Sequence, residues 1–234
     1  MIIPFAGILC SCSASIDGVV REGGAAGITL KTSLEPRTTA LIRSLKGFMG
    51  EAPGASILDG PAMGRSLAAA PGIQSAALKN SSPSALEGTI AISNAGDFLA
   101  AAGADSGAKS RFVTYLEGQS AGASSIKINL DRASAPELIS RLSPEIEDYL
   151  SALMAPAVTG EAISTREYLD LLAMVYSRPL ADEVAVARVR ASIEFPRPVT
   201  EVSGGTAAGK KAEFNIPLTD LLVLEKPLSY TVKW

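Results

Sequence analysis

Two blocks of strand-like alternation, one towards each end of the chain, constrain its fold more than any other feature. Ile28, Leu30, Thr32 and Leu34 alternate with Thr29, Lys31, Ser33 and Glu35, while Ile16, Gly18 and Val20 lead into Gly23-Gly24. Residues 13–35 are therefore expected to form a β-hairpin with one apolar and one wet face. Towards the other end, Val189, Ala191, Ile193 and Phe195 alternate with Arg188, Arg190, Ser192 and Glu194. Ala212, Phe214, Ile216 and Leu218 form a further apolar row, as do Leu228, Tyr230, Val232 and Trp234. Successive strand residues point to opposite faces, so each block buries one face only and needs a layer to cover it.

That layer is expected from the middle of the chain. Thr38 or Thr39 can cap a helix whose Leu41, Ile42, Leu45, Phe48 and Met49 form one stripe. Residues 50–83 are rich in Gly, Pro, Ala and Ser, and helical spacing at 63–70 and 73–78 predicts two short helices. Residues 86–93 read as a strand, after which Asn94 caps a short helix carrying Phe98 and Leu99. Residues 111–117 and 124–131 read as a second hairpin.

Three helix starts follow, at Ser134-Ala135-Pro136-Glu137, at Ser143-Pro144 before Ile146, Tyr149, Leu150, Leu153 and Met154, and at Ser164-Thr165-Arg166-Glu167 before Tyr168, Leu171, Leu172, Val175 and Tyr176. The fold class expected is α+β: an antiparallel sheet built from N- and C-terminal strands, with the helical middle packed on one face. A length of 234 residues, 47% of them hydrophobic and 19% charged, suits one globular domain.

The first twelve residues stand apart. An apolar run from Ile2 ends in Leu9-Cys10-Ser11-Cys12, and the chain has no other cysteine. The run is too short to span a bilayer as a helix, which takes about 20 apolar residues, but it has the length of a signal-peptide apolar region. Leu9-Cys10-Ser11-Cys12 resembles a bacterial lipobox, in which a Leu and two small residues precede the cysteine that is acylated. The resemblance implies that residues 1–11 are the remnant of a signal peptide and that 12–234 form a single ectodomain, held to the membrane by acyl chains on Cys12. No Lys or Arg precedes the run, and a start site upstream of Met1 would supply one. The other reading makes residues 1–12 a first strand, with Cys10 and Cys12 as small core residues.

Much chemistry is closed to this composition. There is no histidine, so acid–base work would fall to carboxylates, Lys or Tyr with strongly shifted pKa values. With both cysteines at the N-terminus and no His, neither a metal site nor a cofactor is expected. A net charge of −3 without a basic run excludes a phosphate-tracking nucleic-acid binder. Gly118-Gln119-Ser120-Ala121-Gly122 has the spacing of a nucleophile elbow, but a strand follows it and no histidine can take the Ser120 proton. Ser106 with Lys109, or Ser124 with Lys127, would supply a Ser/Lys dyad only on a helix start with a buried lysine.

Other patterns have ordinary explanations. Gly204 to Lys211 matches a phosphate-binding loop up to Lys210, then has Lys211 where Ser or Thr is needed, and a β-turn is expected. Glu145, Glu147 and Asp148 suit a first helical turn, and Asp182 and Glu183 a helix start or solvated turn. Arg188 and Arg190, with Arg197 nearby, can meet an anionic head group, although solvation or cross-strand pairing is their expected role.

The opening REGGAAGITL, the helical middle, and the passage AEFNIPLTDLLVL leading to a strand that closes on Trp234 are similar to bacterial envelope lipoproteins of the mycobacterial LppM family, and to spirochaete lipoproteins. The resemblance implies an α+β ectodomain with no catalytic motif. The function expected is that of a non-enzymatic envelope lipoprotein binding an apolar ligand or a protein partner. A serine hydrolase using Ser120 or a Ser/Lys dyad is one alternative, and a structural or adhesive surface protein another.

Overall fold

A computed structural model describes residues 13–48, 57–101, 113–116, 118, 123–139, 150–151 and 153–234. The first hairpin is as expected: β1 (Ser13–Val20) and β2 (Ala26–Ser33) pair antiparallel around a turn at Glu22–Gly24. Helices α1 (Pro36–Phe48) and α2 (Gly60–Ala68) follow, then strands β3 (Ile73–Ser82) and β4 (Ala85–Ile92). Residues 73–78, expected as a helix, are thus the start of a strand. Ile73, Ala76 and Leu78 pack inward while Gln74, Ser75 and Ala77 are exposed, and antiparallel pairing with β4 overrides the local spacing.

Helix α3 (Ala95–Ala101) and the antiparallel pair β5 (Val113–Leu116) and β6 (Ser125–Leu130) match expectation, and Asn94 Oδ1 accepts the Asp97 N–H at 3.1 Å. Then come α4 (Ala135–Ile139), α5 (Pro156–Thr159), α6 (Thr165–Val175) and α7 (Arg178–Val186). The chain closes with β7 (Arg188–Glu194), β8 (Glu201–Ser203), β9 (Thr206–Ala208), β10 (Lys211–Pro217), α8 (Leu218–Val223) and β11 (Leu228–Lys233). Most of the helix expected from Ser143-Pro144, with Glu145, Glu147 and Asp148, lies outside the described residues.

The fold is α+β, with the strands in two sheets. Among the described residues, one sheet has the order β3-β4-β2-β1-β7-β10-β9 and the other β5-β6-β11-β8. The N- and C-terminal strands meet through β1 and β7, which run parallel with Ser13 opposite Arg188. The other pairs of both sheets are antiparallel. Register carries side-chain alternation across the whole ladder: Leu78, Gly88, Leu30, Ile16, Ala191 and Phe214 form one inward row.

Two layers cover the inner face. Over β2, β3 and β4 lie α1 and α2, where Ile42, Ile57, Leu58, Met63, Leu78 and Leu86 bury together. Burying a leucine side chain completely contributes about 1.5–3 kcal/mol. Gly60 opens α2 against β3 so closely that a Cβ there would lie 2.6 Å from Leu86 Cδ1 and 2.9 Å from the Lys79 carbonyl carbon. Asn80 fixes that approach, accepting the Gly60 N–H at 3.0 Å and donating to the Leu58 carbonyl at 2.6 Å.

The second sheet covers the remainder. Phe195 and Trp234 stack with centroids 4.5 Å apart, and Phe214 meets Tyr230 edge-on at 5.6 Å. A separate cluster joins Leu153, Tyr168, Leu172, Val184, Leu222 and Val223 between the later helices, and the Tyr168 hydroxyl donates to the Leu153 carbonyl at 3.0 Å. Helix α8 begins at Leu218, the residue expected to extend the strand row of Ala212, Phe214 and Ile216.

The helix starts mix expected and unexpected caps. Ser164 and Glu167 form the anticipated capping box on α6, and Glu225 adds a bond from the Thr165 N–H at 2.8 Å. These hydrogen bonds hold the Glu167 and Glu225 carboxyls below their ordinary pKa. At α4 it is Asp131 that accepts the Ser134 N–H, at 2.8 Å, with the Ser134 hydroxyl donating to it, and these bonds lower its pKa. Neither Thr38 nor Thr39 caps α1, which starts earlier, at Pro36. Glu183, inside α7 rather than at a helix start, accepts from the Arg37 N–H at 3.3 Å and the Thr38 N–H at 3.1 Å. A carboxylate there satisfies orphan donors and complements the helix dipole.

Two consequences are measurable in urea titrations. Gly60→Ala is expected to cost about 1–3 kcal/mol, read as a lower midpoint at unchanged slope, because the new methyl meets backbone. Removing the cap in Glu183→Ala is expected to cost about 0.5–2 kcal/mol. Glu35 has its pKa raised from the ordinary 4.5, first by burial and then by the Glu183 charge. The unfolded chain therefore releases this proton first as pH rises, and stability falls from about pH 4.5 up to the raised folded value. Glu35→Gln is expected to lessen that decline, and a pH profile parallel to the parent's would refute the assignment.

Candidate polar sheet face

The outward residues of the large sheet lie on the face opposite the helices and the second sheet. The same registers that build the inner rows build rows here. Lys79, Glu87, Lys31, Ser15, Arg190 and Asn215 form the first. Ala77, Thr89, Thr29, Asp17, Ser192, Glu213 and Thr206 form the second, and Ser75, Ala91, Gly27, Val19, Glu194 and Lys211 the third. Asp17, Lys31, Arg190, Glu194, Lys211 and Glu213 are all exposed.

Two depressions lie on this face. One, of about 720 Å³, is bounded by Ser15, Asp17, Arg190, Ser192, Thr206 and Glu213. The other, of about 510 Å³, adjoins it through Asp17 and Ser192 and extends to Thr29, Glu194 and Lys211. Lys211 Nζ donates to Glu213 Oε1 at 2.7 Å; that hydrogen bond raises the lysine pKa, followed by the charge of Glu213 and smaller contributions from Asp17 and Glu194. Lys79 pairs with Glu87 at 3.1 Å. Charged and hydroxyl groups of both signs line these depressions together with Ile16 and Phe214 in the first and Val19 and Ile90 in the second.

Gly204-Gly205, which the sequence placed in a phosphate-loop-like run, has a structural task. It carries the chain from β8 in the small sheet to β9 in the large one, with Gly204 at φ +77°. A Cβ on Gly204 would lie 2.5 Å from the Tyr230 ring, and one on Gly205 2.5 Å from the Glu213 carbonyl oxygen. A strand and a turn at Gly209 follow instead of the helix a phosphate cradle requires.

The serine motifs part in the same way. Cys10, Cys12, Ser106, Lys109 and Ser120 lie outside the described residues. Ser124 is buried in a 250 Å³ cleft with Arg21, Glu22, Tyr115, Arg197 and Trp234. Its hydroxyl oxygen accepts from the Gly118 N–H at 3.1 Å and from Arg197 Nη2 at 3.2 Å. Lys127, three residues along an extended chain, points to the opposite face and is exposed. Ser124 and Lys127 therefore form no dyad.

Arg188 donates to the carbonyls of Ala185 and Ala187 at 2.9 and 2.7 Å, closing the end of α7. Among the described residues no group of three or more carboxylates or cysteines is arranged to hold a metal ion, and no helix is long and apolar enough to cross a membrane. The sheet face itself escaped the sequence because register between distant strands sets it; the alternation of Arg188, Arg190, Ser192 and Glu194 was its one visible sign.

No protein-family model matches the chain, and no curated protein matches it. Among solved structures, the NMR structure of the folded domain of LppM from Mycobacterium tuberculosis aligns over 95% of this chain and 88% of its own, at 10% identity and a TM-score of 0.38. At that level nothing about ligand or activity passes from one chain to the other. The spirochaete likeness finds no support in these matches.

The geometry at Ser124 leads to an expected outcome with a fluorophosphonate probe. Labelling of Ser124 should be absent, since the groups that meet its hydroxyl, the Gly118 N–H and the Arg197 guanidinium, are donors and neither is a base. A label that disappears in Ser124→Ala would show an activated serine.

Proposed function

We propose that this chain is a non-enzymatic, lipid-anchored envelope protein whose α+β body, on the exported side of a membrane, binds a partner through the polar face of its large sheet. The observation that carries the reading is Leu9-Cys10-Ser11-Cys12, followed at once by Ser13, which is already in register with Ser33 and Arg188. An anchor at Cys12 would thus join a central strand with no intervening linker. Acyl chains contribute roughly 0.8 kcal/mol of membrane affinity per buried methylene, and two chains hold stably where one is marginal.

The non-enzymatic part is supported by the absence of histidine and by the Ser124 and Lys127 geometry. The two depressions favour a protein partner over an apolar ligand, because Asp17, Arg190, Glu194, Lys211 and Glu213 would have to lose hydration against an alkyl chain.

The test follows the chain in bacteria fed an alkyne fatty acid. The parent is expected to carry the label and partition with membranes, and Cys12→Ala to lose the label and most of the partitioning. An unlabelled parent, with partitioning unchanged by the substitution, would rule out the anchor.

A further inference from the structure

The outer face of the large sheet is electrically uneven along its strands. The second row from the start of β1 contains Lys79, Lys31 and Arg190 against the single carboxylate Glu87, and the row before it contains Ser13, Ser33 and Arg188, whose guanidinium is held by the Ala185 and Ala187 carbonyls. The two rows beyond it contain Asp17, Glu213 and Glu194 against Lys211. Lys31 and Arg190 are exposed, and neither forms an ion pair with another described residue. Arg37 follows the end of β2, but its guanidinium lies 3.9 Å from the Glu183 carboxylate, so it adds no uncompensated charge there. On the rows themselves Lys79 is paired with Glu87 and Lys211 with Glu213, which leaves Lys31 and Arg190, towards the Ser13 end, as the exposed cations without a carboxylate partner among the described residues.

That end is the one to which Cys12 is bonded. At about 3.3 Å per residue, the row of Ser15, Lys31 and Arg190 stands about 7 Å from Ser13, the residue bonded to Cys12, within about one Debye length at 0.1 M salt. The row of Asp17 lies roughly 13 Å from Ser13 and that of Glu194 roughly 20 Å, so salt screens the acidic rows from a surface at the start of β1. Lys and Arg also carry their charge on long stems that can lean towards an interface.

We propose that the strand end bearing Lys31 and Arg190 is a docking surface for the anionic head groups of the membrane that holds the protein, so that the domain rests on the bilayer with the acidic rows directed away. This rests on the anchoring reading above, since Cys12 identifies the surface that the cations meet. Head-group attraction amounts to about fivefold in partitioning for each cation near the surface.

The test uses the full chain carrying Cys12→Ser, which removes the anchor and leaves the surface. Its partitioning is measured on phosphatidylcholine vesicles with and without about one-third phosphatidylglycerol. Binding is expected to be at least about tenfold stronger to the anionic vesicles and to vanish in about 0.5 M salt. Lys31→Glu with Arg190→Glu should weaken it by more than about tenfold, and the gentler Lys31→Gln with Arg190→Gln by less but clearly. Lys210→Glu with Lys211→Glu, an equal charge change at the far end, should alter it less than about twofold.

Equal loss in the near and far variants, or no preference for anionic vesicles, would overturn the proposal. Because acylation is read separately from fatty-acid labelling, a labelled parent without anionic preference refutes only the docking surface. An unlabelled parent with that preference refutes only the anchor.

Discussion

The pairing of β1 with β7 is the constraint on which the rest of the molecule depends. It joins four strands from the first part of the chain to three from the last, and its register sets which side chains lie together on either face. A slip of one residue there, with β1 held by β2, would turn Ile193 outward and bring Ser192 inward, breaking the inner and outer rows together. The hydrophobic layers and the polar face are two products of one alignment. Neither could be altered at that seam without the other.

Local signals in the sequence were reliable where the cause was local. The first hairpin, the second antiparallel pair, the Asn94 cap and the Ser164 capping box each depend on residues a few positions apart, and each formed as expected. The misreadings have a different origin. Residues 73–78 have apolar side chains at helical spacing, yet the unfilled edge of β4 captured them as a strand. The α1 cap came from Glu183, far along the chain, so no inspection of the flanking residues could find it. Leu218 is the exception: it continues an apolar alternation but begins a helix, and the signal was local, since the adjacent Pro217 ends the β10 ladder.

For the candidate site the balance differs. The lack of histidine and the poor context of the serine motifs were legible, and the position of Lys127 relative to Ser124 adds geometry to that judgement. The polar face was not legible, since Lys31, Glu87, Ser15 and Arg190 come from four separate stretches and become neighbours only through three registers. Charge read along the chain showed no basic run. Charge read across the ladder shows a basic row, which is how an acidic protein can present a cationic end.

The parallel seam also governs the order in which the molecule can be assembled. β2 reaches β1 as soon as the first hairpin has been made, but the strand that fills β1's other edge begins only at Arg188. During vectorial synthesis the early strands must therefore wait with an open edge while the helices emerge. High contact order of this kind slows folding and leaves a template for mispairing. A tether at the head of β1 would keep that waiting edge beside the point of entry, where the late strands arrive.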